Sequence, residues 1–593
     1  MTGPPRPLHR VRAVCGLLSI CVAALAAGGL CAGEIPPPPV GPGARPDPPA
    51  DATASADAEG GRGCLLLEVT DGEQALPARV RVTAPDGRSL LPGPDDRGLA
   101  VDGGGGWELP AGLCTLTVSA GPRRTVRRLA LEIPADATLR QVVTLEPFFP
   151  LAPIDWIAFD PWRPPVPGDG AARARQRLVA AADGIDLFGS AVRDGTGAGS
   201  GVTEGPHRPA VVPCRVAVGR GIAWALGLPP ARTPPRTPYR GRGGPPPLHP
   251  YLALWRAQGG FVVWRHTDGG EATPGTGMAA AHAGADLVFA TVAGPLYDAM
   301  DIGGGGDALR LWIYLLQRGH RIAPLAGGPG GGGGPPALAY LPRPSEMSPA
   351  ALAVRLREGE LVAGTGPLLR VRIGGAPPGG VLRAGTRRYN VAIDAYSSSA
   401  HQDAIDVVEV LHNGRAVKRY AAGPGEQRLR IEDTLEFAEP GWCVVACRGT
   451  DPARFAVASP LWLDAPGAPR PPAPAVVRLR VRAERGATAA AARVEIWNAG
   501  ALLGRHAVPA AGRTFPVPAT ATAILLDAAG HPVMARTVYE ASGAAEYTDR
   551  LAALPPDELR ARLLDDETYA RMRFLLREVT MVFPVENGDG AAE

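Results

Sequence analysis

The chain has 593 residues and a formal net charge of +3, too long for one ordinary domain and too nearly neutral to spread the basic field that nucleic acid requires, so no nucleic-acid partner is expected. Its 77 Gly and 65 Pro would by themselves point to disorder. The basic residues are nearly all arginine, however, with Lys418 the one lysine; Ala, Gly, Pro and Arg rising together is the mark of a GC-rich coding sequence, and local pattern outweighs bulk composition.

Residues 1–32 read as an export signal. Arg6, Arg10 and Arg12 make a positive start, Ala13–Ala27 is apolar and uncharged, and Leu30-Cys31-Ala32 ends on a small residue. The alternative is an uncleaved anchor, because the apolar stretch approaches bilayer-spanning length. The chain is thus expected outside the cytoplasm, periplasmic or extracellular, with membrane contact only if this segment stays attached. Residues 33–62, rich in Pro, Gly, Ala and Asp, read as a flexible tether.

The 8 cysteines include Cys15, Cys21 and Cys31 of the signal, which leaves Cys64, Cys114, Cys214, Cys443 and Cys447. An odd remainder implies a free thiol or an intermolecular pair. Cys64 and Cys114 fall on two expected strands and either bridge or stay as buried thiols. Cys443 and Cys447 lie on one strand, about 13 Å apart, beyond disulfide reach. With no Cys-x-x-Cys, a zinc ribbon is excluded.

Residues 63–148 read as a β-sandwich. Leu65–Val69, the alternating Arg79–Thr83, Cys114–Val118 and Arg140–Leu145 are its strands, punctuated by turns such as Pro85-Asp86-Gly87. Residues 149–366 mix types. Strands are expected at Ile154–Phe159, Gly260–Trp264 and Asp286–Thr291. Helices are expected at Ala171–Ala182, Pro250–Gln258 and Ala308–Arg318, with another opening at Ser348, an N-cap followed by Pro349 and closed by Gly359. The Pro/Arg/Gly-rich Leu228–Pro247 and the Gly/Pro run Gly327–Pro336 read as loops. Residues 367–465 return to β, with an Asn413-Gly414 hairpin turn. Residues 475–545 form a further small β unit. Residues 546–585 are a helical segment, with an amphipathic helix over Asp557–Val582 that breaks near Asp565-Asp566. Its face of Leu559, Leu563, Met572, Leu575, Leu576 and Val579 docks either on a partner or on its own chain.

Four stretches in shared order carry a resemblance: "LLQRGHRIAPLAG" (Leu315–Gly327), "LREGELVAGTGPLLRVRIGG" (Leu356–Gly375), "VEVLHNGRAV" (Val408–Val417) and "GWCVVACRGTDPARFAVASPLWLD" (Gly441–Asp464). They resemble PHP-type metallohydrolases, in the secreted esterase and amidase branch that includes carbaryl hydrolases. "LPARVRVTAPDG" and "ELPAGLCTLTVSAGP" make the first unit similar to carboxypeptidase regulatory and transthyretin-like modules, which brace a neighbouring domain. The resemblance implies a multidomain α+β chain, with a degenerate PHP-like (β/α) barrel flanked by β-sandwich domains. It also implies a centre of His and Asp/Glu ligands around one to three divalent metals, which activate water and polarise the scissile group.

Against that pattern the ligands are sparse. Asp160 matches the leading Asp of the family's Asp-x-His-x-His strand end, but both histidines are absent. The acid expected after "AGS" is missing from Ala326-Gly327-Gly328-Pro329. "GGFVVWRHTDGG" (Gly259–Gly270) places His266 at the family's Gly-Gly, strand, His-Pro position, with Thr267 in place of Pro. The candidate metal ligands are therefore Asp160, His266 and His282. Each has a plain reading beside it: a turn or cap role for Asp160, an ordinary strand-end imidazole for His266. Three protein ligands are the usual minimum, so the expectation is a pseudoenzyme that needs no cofactor and binds or scaffolds an envelope ligand or protein. The alternative is an active, metal-dependent ester or amide hydrolase using Zn, Mn or Fe, with Asp298 or Asp301 completing the set. A third reading is an array of carbohydrate- or protein-binding sandwiches spaced by the middle region. No Gly-x-Ser-x-Gly elbow or P-loop offers other chemistry.

Overall fold

The computed structural model describes residues 61–583 apart from internal stretches, the longest being 148–155, 192–209, 229–247, 266–285, 329–336, 464–474 and 484–492. The expected export signal and nearly all of the tether lie outside the described residues.

The first unit is a β-sandwich. Strand Arg62–Thr70 alternates in burial, with Leu65, Leu67 and Val69 turned inward. It is central in a three-stranded sheet with Gly104–Pro110 and Thr138–Thr144. A four-stranded sheet of Leu99–Asp102, Pro77–Thr83, Gly112–Ser119 and Arg127–Ile133 packs on it around Leu65, Val80, Leu116 and Val118. Cys64 and Cys114 do not bridge; both are free thiols, as are the other three described cysteines. The strand period explains it. Cys64 shares the outward parity of Leu66 and Glu68, whereas Cys114 faces the core.

The central residues do not close into the expected (β/α) barrel, and the chain is mostly β rather than α+β. Seven strands follow one another in chain order: Trp156–Arg163, Leu187–Ala191, Ala210–Val218, Ile222–Leu226, Phe261–Arg265, Ala299–Asp301 and Ala323–Leu325. The first two steps and the last two are parallel. The two between them are antiparallel, which breaks the βαβ alternation. Closure would require the two end strands to meet. Instead the outer edge of Trp156–Arg163 is taken by Leu338–Pro342. The sheet then runs on through Val362–Gly364 and Phe455–Ala458 into Gly441–Gly449, Ile405–His412 and Arg415–Ala421, and with Val381–Leu382 and Leu461–Leu463 beside this path it is one 15-stranded sheet. Its central part is a half-barrel.

Helices Gly170–Ala182, His249–Ala257, Gly306–Gln317 and Pro349–Glu358 occupy the expected places. The last is capped as the sequence suggests. Ser348 Oγ accepts from Ala351 N–H at 3.2 Å, and Gly359 takes the left-handed C-cap at φ 74°. Trp224, Trp264 and Trp312 are fully buried in the half-barrel core. The strand expected at Asp286–Thr291 is instead helical over 286–292. A short apolar run does not distinguish the two periods. Here Leu287 and Ala290 face the half-barrel core, while Val288, Phe289 and Val292 face the C-terminal core, so the helix is apolar all round because it is buried all round.

A three-stranded sheet of Leu368–Ile373, Arg388–Tyr396 and Arg428–Glu436 covers the extended part of the large sheet around Val371, Ile393, Val408 and Val445. The Asn413-Gly414 hairpin is present, with φ of 50° and 81° and strands Ile405–His412 and Arg415–Ala421 on either side.

The C-terminal unit has two sheets of its own, Arg513–Pro518/Val476–Ala483/Glu578–Phe583 and Ala501–Ala507/Arg493–Asn498/Thr522–Leu526/Pro532–Thr537. The amphipathic helix expected over Asp557–Val582 is two helices, Pro556–Leu563 and Asp566–Leu575, and then a strand, Glu578–Phe583. Asp565 caps the second helix by accepting from Glu567 N–H at 3.1 Å. The final segment, Glu-Val-Thr-Met-Val-Phe, alternates in burial, and its β-branched residues suit a pleat better than a helix. Leu559, Leu563, Met572 and Leu576 bury in the chain's own core, which decides between the two docking readings.

The first sandwich is clamped to the half-barrel. Arg79 Nε donates to Asp183 Oδ1 at 2.9 Å, and Arg123 Nη2 donates to Asp186 Oδ1 at 2.8 Å. Among the described residues no helix is long and apolar enough to cross a membrane.

Candidate functional site

The strands Trp156–Arg163, Phe261–Arg265, Ala299–Asp301 and Ala323–Leu325 deliver Asp160, Arg265, Asp301 and the Gly327-Gly328 turn to the same end of the half-barrel. In parallel sheets this C-terminal end is where loops gather and sites form.

Asp160 is fully buried. Its Oδ2 accepts from Arg163 Nε at 2.8 Å, and its Oδ1 accepts from Gly328 N–H at 3.0 Å. Arg163 passes the charge on, its Nη2 reaching Asp183 Oδ2 at 3.3 Å. Asp183 in turn takes Arg79 Nε and Nη2 at 2.9 and 3.3 Å, and Arg79 Nη1 ends the chain on Gly98 carbonyl at 3.0 Å. A bidentate guanidinium–carboxylate pair of this kind is the geometry arginine favours.

Asp301 stands beside this network. Its Oδ1 accepts from Gly303 N–H at 2.9 Å. The Gly327 N–H also bonds the carboxylate. Its Oδ2 has no hydrogen-bond partner and lies 4.0 Å from Arg265 Nε. Gly327 is required between the two acids: a Cβ there would meet Pro161 Cγ at 2.5 Å and Asp160 Oδ1 at 3.3 Å. Where the resemblance expects an acid after the strand, two glycines present backbone N–H groups to Asp301 and Asp160. Burial pushes the Asp301 carboxyl up to about 6, against the opposing pull of Arg265 and the Gly303 amide. Nearby Cys214 is buried among apolar groups and next to Asp160, which pushes its thiol up to about 12 and leaves it unreactive.

The Asp301 shift gives a pH-dependent stability. Its folded value lies above its ordinary one, so between roughly pH 4 and pH 6 the folded state binds more protons than the unfolded state. Stability contributed by this group is therefore full below pH 4 and lost as pH rises towards 6, on the order of 2–3 kcal/mol for a shift of this size. Asp301→Asn is expected to remove that slope. Urea midpoints of both proteins from pH 4 to pH 7 check it; parallel curves would contradict it.

The sequence candidates divide. Asp160 and Asp301 come together. Asp298 does not: it sits at the other end of its strand, where Oδ2 accepts from Val262 N–H at 2.9 Å and Oδ1 faces Arg256 Nη2 at 3.4 Å. Asp286 turns to the C-terminal unit, accepting from Tyr539 Oη at 2.9 Å. His266 and His282 lie outside the described residues. Among the described residues no three His, Cys, Asp or Glu side chains gather in a metal-holding group. Two described carboxylates are fewer than the three ligands a divalent ion usually takes, and Arg163 is hydrogen-bonded to one of them, Asp160. Asp160 and Asp183 are hydrogen-bonded to Arg163 and Arg79, and Asp301 stands 4.0 Å from Arg265. Sequence reading missed these arginines. Their signals were present: Arg163 ends the Asp160 strand, and Arg265 directly precedes His266.

No family model matches the chain, and no curated protein matches it. Among solved structures, the fibronectin(III)-like modules of Clostridium thermocellum CbhA match at 13% identity, over 28% of this chain and 90% of that one, with a TM-score of 0.12. At that score the likeness bears on neither fold nor function.

Proposed function

We propose that this chain is an exported, multidomain binding or scaffold protein of the cell envelope, similar in sequence order to PHP-type metallohydrolases but without their hydrolysis. The observation that supports the reading is the network of carboxylates and guanidiniums around Asp160 where the resemblance calls for metal. A bound cation activates water by concentrating charge on it, whereas the Asp160 carboxylate is already engaged by Arg163 and by the Gly328 amide. Arg79 has a second role, because together with Arg123 it locks the first sandwich onto the half-barrel. That suits a rigid display of β units better than an open reaction cleft.

The test is hydrolysis of a panel of aryl esters and anilides by the purified chain, with Zn, Mn or Fe added in turn. No metal-dependent turnover above the buffer rate is expected. Turnover that depends on metal and disappears in His266→Ala would overturn the reading in favour of an active hydrolase.

A further inference from the structure

The three-stranded sheet of Leu368–Ile373, Arg388–Tyr396 and Arg428–Glu436 buries one face against the large sheet and turns the other to solvent. Register sets what stands on that outer face. Arg372 lies opposite Ala392, and Ala392 opposite Glu432. One row further on, Asn390 lies opposite Thr434. Val391 and Ile393, of the other parity, are buried. Long side chains thus flank a single methyl group at the middle of the central strand. Alanine is depleted in strands relative to β-branched residues, and cross-strand neighbours stand only about 4.5–5.5 Å apart. A residue this small therefore opens a trough between Arg372 and Glu432. An open groove of about 640 Å³ occupies that place, lined by Arg372, Asn390, Ala392, Glu432 and Thr434, with Gly375 at one end. Its volume falls in the roughly 300–1,000 Å³ range of small-molecule sites.

Every charge in the lining has its own partner in the chain. Arg372 Nη1 donates to Glu360 Oε1 at 2.9 Å, and Glu432 Oε1 accepts from Arg430 Nη2 at 2.6 Å. Asp433, also in the lining, shares the inward parity of Val391; it accepts from Tyr420 Oη at 2.8 Å and faces Lys418 Nζ at 3.1 Å. A charged ligand would have to displace one of these pairs, and a neutral one would not. The pairs also hold the long side chains in place while leaving hydrogen-bonding capacity over. Only Nη1 of the Arg372 guanidinium is engaged, by Glu360 and the Val371 carbonyl, although its other nitrogens are donors too. Asn390 Oδ1 accepts from Thr434 Oγ1 at 3.4 Å, and no described residue accepts from Asn390 Nδ2. Donors on Arg372 and Asn390 therefore stand across a methyl floor from acceptors on Glu432 and Thr434. Because a paired sheet carries them, their spacing is fixed before any ligand arrives, which lowers the ordering cost of binding.

We infer that this groove binds a neutral oligosaccharide through one of its sugar rings. A pyranose ring carries the matching pattern: an apolar C–H face, which the Ala392 methyl meets, and a rim of hydroxyls that both donate and accept, which Arg372, Asn390, Glu432 and Thr434 meet. The inference concerns a different sheet from the one that carries the Asp–Arg network and stands whether or not that network proves catalytic. The test is titration of the full chain with cellotriose, maltotriose and triacetylchitotriose, and with trigalacturonate as the charged counterpart, followed by calorimetry and saturation-transfer NMR. Saturable binding of at least one neutral trisaccharide is expected. It should weaken about tenfold in Ala392→Ile, whose side chain fills the trough, and about threefold in Asn390→Ala, which loses one hydrogen bond. Both positions are exposed and isoleucine suits a strand, so neither variant puts folding at stake. Absence of saturable binding for all the neutral sugars, binding of trigalacturonate alone, or undiminished affinity in Ala392→Ile would overturn the proposal.

Discussion

Asp183→Ala is expected to destabilise the protein by about 3–5 kcal/mol, the usual cost of breaking a buried ion pair by removing one partner. The side chains of Arg79 and Asp183 are 5% and 3% exposed. The pair joins a strand of the first sandwich to the segment after helix Gly170–Ala182, and Asp183 also holds Arg163. Without the carboxylate, the Arg79 guanidinium stays buried and loses the bidentate partner of its Nε and Nη2. Urea unfolding of the single variant and of Arg79→Met/Asp183→Ala measures the effect. The double variant is expected to recover part of the loss, because the stranded charge has gone; a double variant as unstable as the sum of two independent losses would contradict the pairing.

Truncation after Arg577 is expected to unfold the C-terminal unit while the half-barrel stays folded. Glu578–Phe583 is the last strand in sequence, yet it pairs in parallel with Val476–Ala483, the first strand of that unit. Val579, Met581 and Phe583 are each at most 1% exposed, and burial of three such side chains contributes roughly 5–9 kcal/mol. A small domain has only about 5–15 kcal/mol in total. Limited proteolysis should then cut within residues 476–577 in the truncated chain and leave the Trp-rich half-barrel intact. A C-terminal unit as resistant as in the full chain would show that the parallel closure is not what holds it.

Much of the local structure was legible in the sequence, and the reasons are local ones. Ser348, Pro349 and Gly359 mark a helix because capping is decided by a few neighbouring residues. Asn413-Gly414 marks a hairpin because two consecutive positive φ angles demand those residue types. Alternation in Arg79–Thr83 likewise shows through, since one face of that strand is buried. The misses are tertiary. Asp286–Thr291 is helical because two separate cores meet on it. Glu578–Phe583 is a strand because its partner lies about a hundred residues earlier, at Val476–Ala483. The barrel expectation failed at two places: Ile222–Leu226 enters antiparallel to both neighbours, and Leu338–Pro342 occupies the position that closure would need, which no residue within Trp156–Arg163 announces.

The site was half legible for the same reason. Asp160 drew notice because its residue type fits a metal. Asp301 entered only as a possible substitute ligand, and Asp183 did not enter. Arginine is common in this chain, so the positions of Arg163 and Arg265 beside the candidate ligands were easily passed over, and Arg79 gave no local signal of being a counterion. Their role depends on three strands and a loop from different parts of the sequence arriving at one end of the sheet. The two glycines after Ala326 read as a lost acid; in the fold they supply backbone donors to the acids that remain.

The central claim is that arginine, not metal, is the counterion of Asp160. The most direct measurement is the divalent metal content of the full chain, purified without chelators or a polyhistidine tag, with thermal midpoints recorded before and after chelation. Sub-stoichiometric metal and an unchanged midpoint are predicted. One or more equivalents of Zn, Mn or Fe, lost on chelation together with a fall in the midpoint, would contradict the account and return the half-barrel to the metallohydrolases.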